Sequence, residues 1–254
     1  LVVGLAGVAS GVLVISANGW MNSPTGFEWK DGVASQIDPW AALLNEAWLP
    51  QSSHMVLAAF CAVPFAVVGV HLLLERSRPD EGMHRLGIRL ALGVACVAAL
   101  LQPLNGHFAA QSVAERQPLK LAAMEAHFET ETRAPLLVGG IPDVEAREVH
   151  LAIEIPGGLS FMAFDEFDAE VRGLEAFPED EWPPVPIVHY AFQIMVGIGT
   201  WLAGLSAICL YVLLRRPDWL NHPQLRRALL LSAPLGFIAI EAGWVVTEVG
   251  RQPW

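Results

Sequence analysis

The chain has 254 residues, of which 54% are hydrophobic and only 16% are charged, and its mean hydropathy is +0.43. This composition excludes an ordinary soluble domain and is typical of a protein that crosses the membrane several times. The formal net charge of −11 equals the charge of one segment, residues 105–186, which holds sixteen acidic and five basic residues. The acidity therefore belongs to one loop, and nucleic acid is not an expected partner.

Five segments are long and apolar enough to cross a hydrocarbon core of about 30 Å as helices. They are Leu1–Ala17, His54–Leu74, Leu86–Leu104, Ile187–Leu214 and Leu225–Val249. We therefore expect an all-α membrane protein, a bundle of about five transmembrane helices with a long extracytoplasmic loop. Its three regions are residues 1–104, with three spans and a loop at 18–53; the acidic loop 105–186; and residues 187–254, with two spans.

The chain begins without methionine and already inside an apolar run. We expect it to be a fragment of a longer protein, whose first segment here is a spanning helix and not a signal peptide. A shorter apolar stretch, Trp40–Leu49, precedes the second span and suits a helix at the membrane interface, where tryptophan is enriched.

Two clusters of arginine predict the orientation of the spans. The first cluster lies between the second and third spans and consists of Arg76, Arg78, Arg85 and Arg89. The second lies between the fourth and fifth spans and consists of Arg215, Arg216, Arg226 and Arg227. Short loops rich in arginine stay in the cytoplasm. The loops 18–53 and 105–186, and the terminal segment 250–254, are then expected outside the membrane.

Ionisable side chains within spans are costly, and they mark cavities or functional sites. His54, His189 and Glu248 are expected at the outer ends of three spans, and Glu241 lies two helical turns deeper than Glu248. Arg251, one turn after Glu248, is its expected partner. A transporter that moves protons or ions through the two glutamates is one interpretation of this pattern.

Imidazole, thioether and carboxylate groups are also the side chains that bind haem iron in helical bundles. His54 with His189, and His54 with Met195, both remain open as an axial pair on spacing alone. A histidine at a helix end is also common as an ordinary hydrogen-bonded residue, and methionine in an apolar helix is common as core packing.

The acidic loop carries a short amphipathic segment with its own chemistry. Lys120 and Glu125 follow Pro118, a residue suited to the first turn of a helix. A lysine and a glutamate at the membrane edge can bind a quinol headgroup and accept its proton during oxidation. The alternative is two solvated charges on a loop helix.

Four stretches together resemble subunit I of the cytochrome bd-type quinol oxidases, of the subgroup with a short quinol loop. They are Asn18–Gly26, Gln117–Phe128, Phe192–Gly197 and Glu248–Trp254. The resemblance implies that His54 and Met195 ligate the low-spin haem b. It also implies that Lys120 and Glu125 act in quinol oxidation.

The same resemblance implies that Glu248 lies near or on the iron of the high-spin haem b, with Arg251 beside the haem groups. Asn18 and Trp20 match an outer loop with a structural role, and Glu241 is left as a proton-path residue without a family match. Gln193 stands where some members carry arginine, so we expect altered electrostatics at the haem.

The expected function is a haem-containing terminal oxidase subunit that oxidises membrane quinol and passes electrons to oxygen, contributing to the proton gradient. The implied cofactors are low-spin and high-spin haem b, with haem d or a third haem in the full-length parent. The implied partners are a second oxidase subunit, quinol and oxygen, in a bacterial or archaeal cytoplasmic membrane. The family's first spans, with the ligand histidine of the oxygen-reducing haem, would precede Leu1. The alternatives are a bis-His cytochrome b of another redox chain and a non-catalytic proton-coupled transporter.

Overall fold

The computed structural model describes residues 2–77 and 82–253. Within these ranges, five helical segments are long and apolar enough to span a membrane, which confirms the predicted all-α bundle. They cover Val2–Asn22, Trp48–Ser77, Gly82–Arg116, Val185–Arg215 and Pro223–Val249. Parts of the sequence predictions fall on Leu1, Arg78 and Trp254, and these three residues lie outside the described residues.

The helices in chain order are α1 (Val2–Asn22), α2 (Pro39–Leu43), α3 (Trp48–Ser77), α4 (Gly82–Arg116), α5 (Pro118–Glu125), α6 (Gly158–Phe164), α7 (Val185–Arg215), α8 (Pro223–Ser232) and α9 (Leu235–Val249). The strands are β1 (Glu28–Lys30), β2 (Val33–Ser35), β3 (Glu131–Thr132), β4 (Leu136–Val138), β5 (Ile141–Asp143), β6 (Glu148–His150), β7 (Ile153–Ile155) and β8 (Glu170–Val171). Helices α8 and α9 together form the fifth span.

Proline residues mark several of the helix boundaries. Pro118 and Pro223 occupy the first positions of α5 and α8, where the missing N–H has no partner to lose. Pro234 separates α8 from α9, because its ring and missing N–H interrupt the helical hydrogen bonds. The fifth span is therefore two helices in series, and not the single helix that its hydropathy predicts.

Two helices extend further than their apolar segments. Helix α1 continues to Asn22 and α4 continues to Arg116, so the first parts of the predicted loops 18–53 and 105–186 are helical. Asn18 and Trp20 accordingly lie in α1 and not in a loop. The predicted interfacial helix Trp40–Leu49 corresponds to α2 and the start of α3.

The chain between α4 and α7, residues 117–184, folds into a compact cap that we call the loop unit. Its strands pair antiparallel as β3 with β8, β4 with β7 and β5 with β6. A small apolar core of Leu121, Ala134, Leu159 and Val171 holds α5 and α6 against the strands. Asp165 binds the unit to α4 through His107 Nε2, at 2.8 Å, and Gln111 Nε2, at 2.6 Å.

The arginine clusters meet at the other end of the bundle. The buried carboxylate of Glu75, at the end of α3, accepts a hydrogen bond from Arg85 Nε at 3.0 Å and pairs with Arg226 of α8. One arginine from each cluster therefore contacts the same carboxylate. The two short loops therefore lie at the same end of the bundle.

Candidate functional site

His54 lies near the beginning of α3, where its ring faces α4. Its Nδ1 is 3.2 Å from Asn105 Oδ1, and Asn105 Nδ2 donates to Ser53 Oγ at 2.7 Å. Because the amide nitrogen of Asn105 is used by Ser53, the amide oxygen faces the ring and accepts the Nδ1 proton. This tautomer leaves a lone pair on His54 Nε2, which is the form of imidazole that binds iron.

The residues around His54 fit a ligand on its Nε2 atom. Gln102 Nε2 is the group nearest to that atom, at 3.1 Å, and the Gln102 Oε1 atom is buried without a partner among the described residues. A flexible amide can rotate away from the imidazole when another ligand binds there. A β-carbon on Gly106 would lie 3.6 Å from the ring, so α4 passes close beside it.

Met195 is half-buried on α7. Its sulfur would lie 3.1 Å from a β-carbon on Gly243 of α9, so the thioether packs closely against that helix. The contacts of His54 are with α4 and those of Met195 are with α9. The two side chains are on helices of the same bundle, and an imidazole with this tautomer and a thioether are side chains that would hold a low-spin haem.

Glu248 lies in the last turn of α9, where two donors hold its carboxylate. Asn18 Nδ2 donates to Oε1 at 2.6 Å, and the Arg251 guanidinium pairs with Oε2. Asn18 is buried and comes from α1, so it joins the ends of α1 and α9. The sequence resemblance implies a structural role for Asn18 in an outer loop. In the structure, Asn18 lies in α1 and donates a hydrogen bond to the carboxylate of Glu248, which is predicted to bind haem.

Lys120 connects the loop unit with this carboxylate. Its Nζ donates to Gln117 Oε1 at 3.0 Å, and its Cγ would lie 3.2 Å from a β-carbon on Gly250. Burial and the Arg251 guanidinium lower the pKa of Lys120 to about 8, although the Glu248 carboxylate acts in the opposite direction. Helix α5 therefore docks on the end of α9, and the amine lies beside the Glu248–Arg251 pair.

Glu125 is buried at the end of α5, and its Oε2 atom has no hydrogen-bond partner among the described residues. Burial raises the pKa of Glu125 to about 8, so the carboxyl group is largely protonated at neutral pH. Five residues separate it from Lys120, which rotates the two side chains about 140° apart around the helix. Lys120 instead donates to Gln117, and α5 presents the amine and the carboxyl group in different directions.

The two remaining candidates are separated from this cluster. Glu241 is exposed on α9, two turns before Glu248. His189 is fully buried, and its Nδ1 lies 2.9 Å from the carbonyl oxygen of Met124. The sequence left His189 open as an iron ligand, but its described contact is with the backbone of the loop unit.

Gly250 contacts Lys120, and the sequence does not predict this contact. Replacing Gly250 with alanine is expected to impair the site. A β-carbon there would overlap the backbone carbonyl oxygen of Val246 and lie 3.2 Å from Lys120 Cγ, so the end of α9 must shift and the lysine must move by a few tenths of an ångström. On the expectation from the sequence that this loop binds quinol, the KM for quinol would rise about tenfold, which corresponds to the free energy of one to two hydrogen bonds. Gly93→Ala is the control, because a β-carbon at Gly93 meets no atom within 4 Å. Equal KM values for the two variants would contradict the role of this contact.

Comparison with known proteins defines the class of this bundle. The family model described as cytochrome bd terminal oxidase subunit I matches residues 1–254. The chain is 40% identical to "Putative cytochrome bd menaquinol oxidase subunit I" of Bacillus subtilis (strain 168) over 97% of the chain and 56% of the relative. It is 29% identical to "Cytochrome bd ubiquinol oxidase subunit 1" of the same organism, over 97% of the chain and 55% of the relative.

The fold agrees with this assignment. The solved structure of bd oxidase from Geobacillus thermodenitrificans superposes with a TM-score of 0.89 at 36% identity, covering 97% of this chain and 57% of that chain. The chain is a bundle with five helical segments long and apolar enough to span a membrane among its described residues, and it has the fold of a bd oxidase subunit. It belongs to the cytochrome bd terminal oxidase subunit I family, as its sequence motifs predict, and it spans a little over half the length of these relatives.

Proposed function

We propose that this chain carries the quinol-oxidising and haem-binding part of a cytochrome bd-type quinol:oxygen oxidoreductase. The observation that carries the proposal is the docking of Lys120 on Gly250, beside the Glu248–Arg251 pair. This contact joins the loop unit to the helix end where the family resemblance puts a haem. Family membership favours this function over a transporter or an unrelated bis-His cytochrome b.

His54 and Met195 would hold a low-spin haem b, and Glu248 with Arg251 would hold the high-spin haem b. The tautomer of His54, set by Asn105, supports the first assignment. When bound, the haems supply one-electron steps from quinol to a third haem, haem d or another haem b, where oxygen is reduced. The chain's own residues then have to bind quinol, orient it and remove its protons.

Quinol would bind at the loop unit, with α5 presenting its two ionisable groups. Lys120 donates a hydrogen bond to a quinol oxygen, because its amine is held beside α9 and not solvated. Glu125 accepts a hydroxyl proton when it is ionised, and its unpaired Oε2 supports that role. We propose menaquinol as the first substrate to test, because the relative with 40% identity is named for it.

The loop unit would face the extracytoplasmic side of a bacterial or archaeal cytoplasmic membrane, so quinol protons are released outside. The shared contact of the arginine clusters with Glu75 supports this orientation, since it puts both clusters at the end opposite the loop unit. Glu241, two turns before Glu248 on α9, would lie on a proton path. A second oxidase subunit would complete the enzyme.

The experiment is quinol-dependent oxygen uptake by the purified full-length protein with its second subunit. We expect uptake with menaquinol, compared against ubiquinol and against buffer without enzyme. Oxygen uptake at the buffer rate with both quinols, in a preparation that contains haem, would contradict the proposal.

The pH dependence of oxygen uptake tests whether Glu125 is the group that accepts the quinol proton. A buried Glu125 with a pKa raised to about 8 is protonated below that pH and cannot accept a quinol proton. We therefore expect the rate to rise as the pH increases through about 8. The rise is expected to persist in Lys120→Met and to disappear in Glu125→Gln. A rise that survives in Glu125→Gln would assign the base to another group.

A further inference from the structure

Two side chains of α7 hold the backbone of the loop unit at two separate places. His189 Nδ1 is 2.9 Å from the carbonyl oxygen of Met124, at the end of α5. Gln193 Nε2 donates to the carbonyl oxygen of Leu137 at 3.0 Å, and the N–H of Gly139 donates to Gln193 Oε1 at 3.1 Å. His189 and Gln193 are four residues apart, so they lie on one face of the helix. We call these two residues the α7 clamp.

The histidine contact lies in a well-packed region. His189 is fully enclosed, and Met124 is buried in the apolar cluster that joins α5 to α7 and α9. A buried carbonyl oxygen that loses its donor costs more than the hydrogen bond itself contributes. Removing the imidazole would therefore loosen the end of α5, where Glu125 follows Met124 directly.

The glutamine contact fixes a turn. Its amide donates to one backbone group and accepts from another, so it holds the end of β4 in one register. Gly139 and Gly140, with φ of 71° and 106°, then turn the chain into β5. The sequence predicts an effect of Gln193 on haem electrostatics, but its amide is used in binding this turn between β4 and β5.

The same helix carries Met195, six residues after His189 and about 9 Å further along the axis. The clamp and the proposed haem ligand are therefore parts of one rigid element. Glu125 is tied to that element through the backbone of Met124. The separation between the proposed quinol base and the proposed haem ligand is then set by α7, and not by the chain that links them.

We propose that His189 and Gln193 are positioning residues that hold the loop unit in register with the helix that carries Met195. They act through the backbone of Met124, Leu137 and Gly139, and they do not touch quinol or iron. This inference rests on the proposed function for its effect on quinol oxidation. The hydrogen bonds that hold the loop unit against α7 do not depend on that function.

The test compares His189→Ala and Gln193→Ala with the wild type in the full-length protein with its second subunit. Trypsin cleavage at Arg133 and Arg147, which lie before β4 and after β5, reports on the loop unit without any need for turnover. We expect cleavage to accelerate about five- to tenfold in Gln193→Ala, as the loss of these hydrogen bonds implies. In both variants we expect a raised KM for quinol and an unchanged low-spin haem absorption band.

Two further variants separate positioning from other roles. His189→Asn can place an amide N–H where Nδ1 lies, so we expect it to restore the KM, which a role for Nε2 as a base would not allow. Gln111→Ala is the matched control, because Gln111 binds the loop unit at Asp165, after α6, and not at the end of α5 or at the turn after β4; we expect it to leave the KM unchanged.

Wild-type cleavage rates and KM values in both alanine variants would overturn the proposal, as would a KM in His189→Asn as high as in His189→Ala. If the wild type itself does not oxidise quinol, the proposed function fails. The cleavage rate of Gln193→Ala then decides the proposal on the clamp alone.

Discussion

Replacing His54 with alanine is expected to abolish the reduced-state absorption band of the low-spin haem while the protein still inserts into the membrane. The imidazole lies near the beginning of α3, and Asn105 holds it in the tautomer whose Nε2 can bind iron when Gln102 rotates away. Alanine leaves Met195, a weak ligand, without its partner. The measurement is a reduced-minus-oxidised spectrum of the purified variant, with electron transfer from quinol to oxygen expected to cease.

His107→Ala is the matched control for this prediction. His107 lies on α4, outside the proposed site, and binds Asp165 of the loop unit, so the band is expected to remain. Met195→Leu identifies the second ligand, because it should also remove the low-spin band. A band unchanged in Met195→Leu but lost in His189→Ala would assign the axial pair to the two histidines. An unchanged band in His54→Ala would refute the ligand assignment altogether.

Replacing Glu125 with glutamine is expected to lower quinol oxidation by about two orders of magnitude or more, the usual contribution of a general base. Glutamine has nearly the same shape, but it cannot accept a proton. Because Glu125 lies in the loop unit and not among the proposed haem ligands, all haem bands are expected to remain. The measurement is the turnover rate with quinol at saturating concentration, together with the haem spectrum of the same preparation.

Glu154→Gln provides the comparison. Glu154 is an exposed carboxylate on β7 of the same unit, so its substitution removes a carboxyl group from the loop and leaves the α5 site alone. We expect normal turnover in this variant. Normal turnover in Glu125→Gln would remove Glu125 from the mechanism, and equal losses in both variants would indicate an effect of overall charge.

Hydropathy predicts where the spans lie but not where the helices end. Helix α4 continues past Leu104 because its polar last turns bind the loop unit, with His107 and Gln111 both held by Asp165. Those contacts cross more than fifty residues of chain, and no local pattern contains them. Pro234, in contrast, is a helix-breaking residue that is visible in the sequence. Hydropathy does not indicate the interruption there, because the apolar run continues through it.

The candidate site likewise has features that the sequence predicts and features that it does not. The residue types of His54, Lys120 and Glu248 and their positions at helix ends follow from the sequence, whereas their neighbours do not. Asn18 contacts Glu248 across 230 residues, and Gly250 contacts Lys120 only because α5 docks on the end of α9. Such contacts depend on tertiary packing. The tautomer of His54 likewise depends on Asn105, which belongs to another helix.

The reduced-minus-oxidised visible spectrum of the purified full-length protein in detergent tests the central claim most directly. We expect haem b bands, accompanied by a red-shifted band where the third haem is haem d. A preparation that is folded and inserted but shows no haem absorption would contradict it.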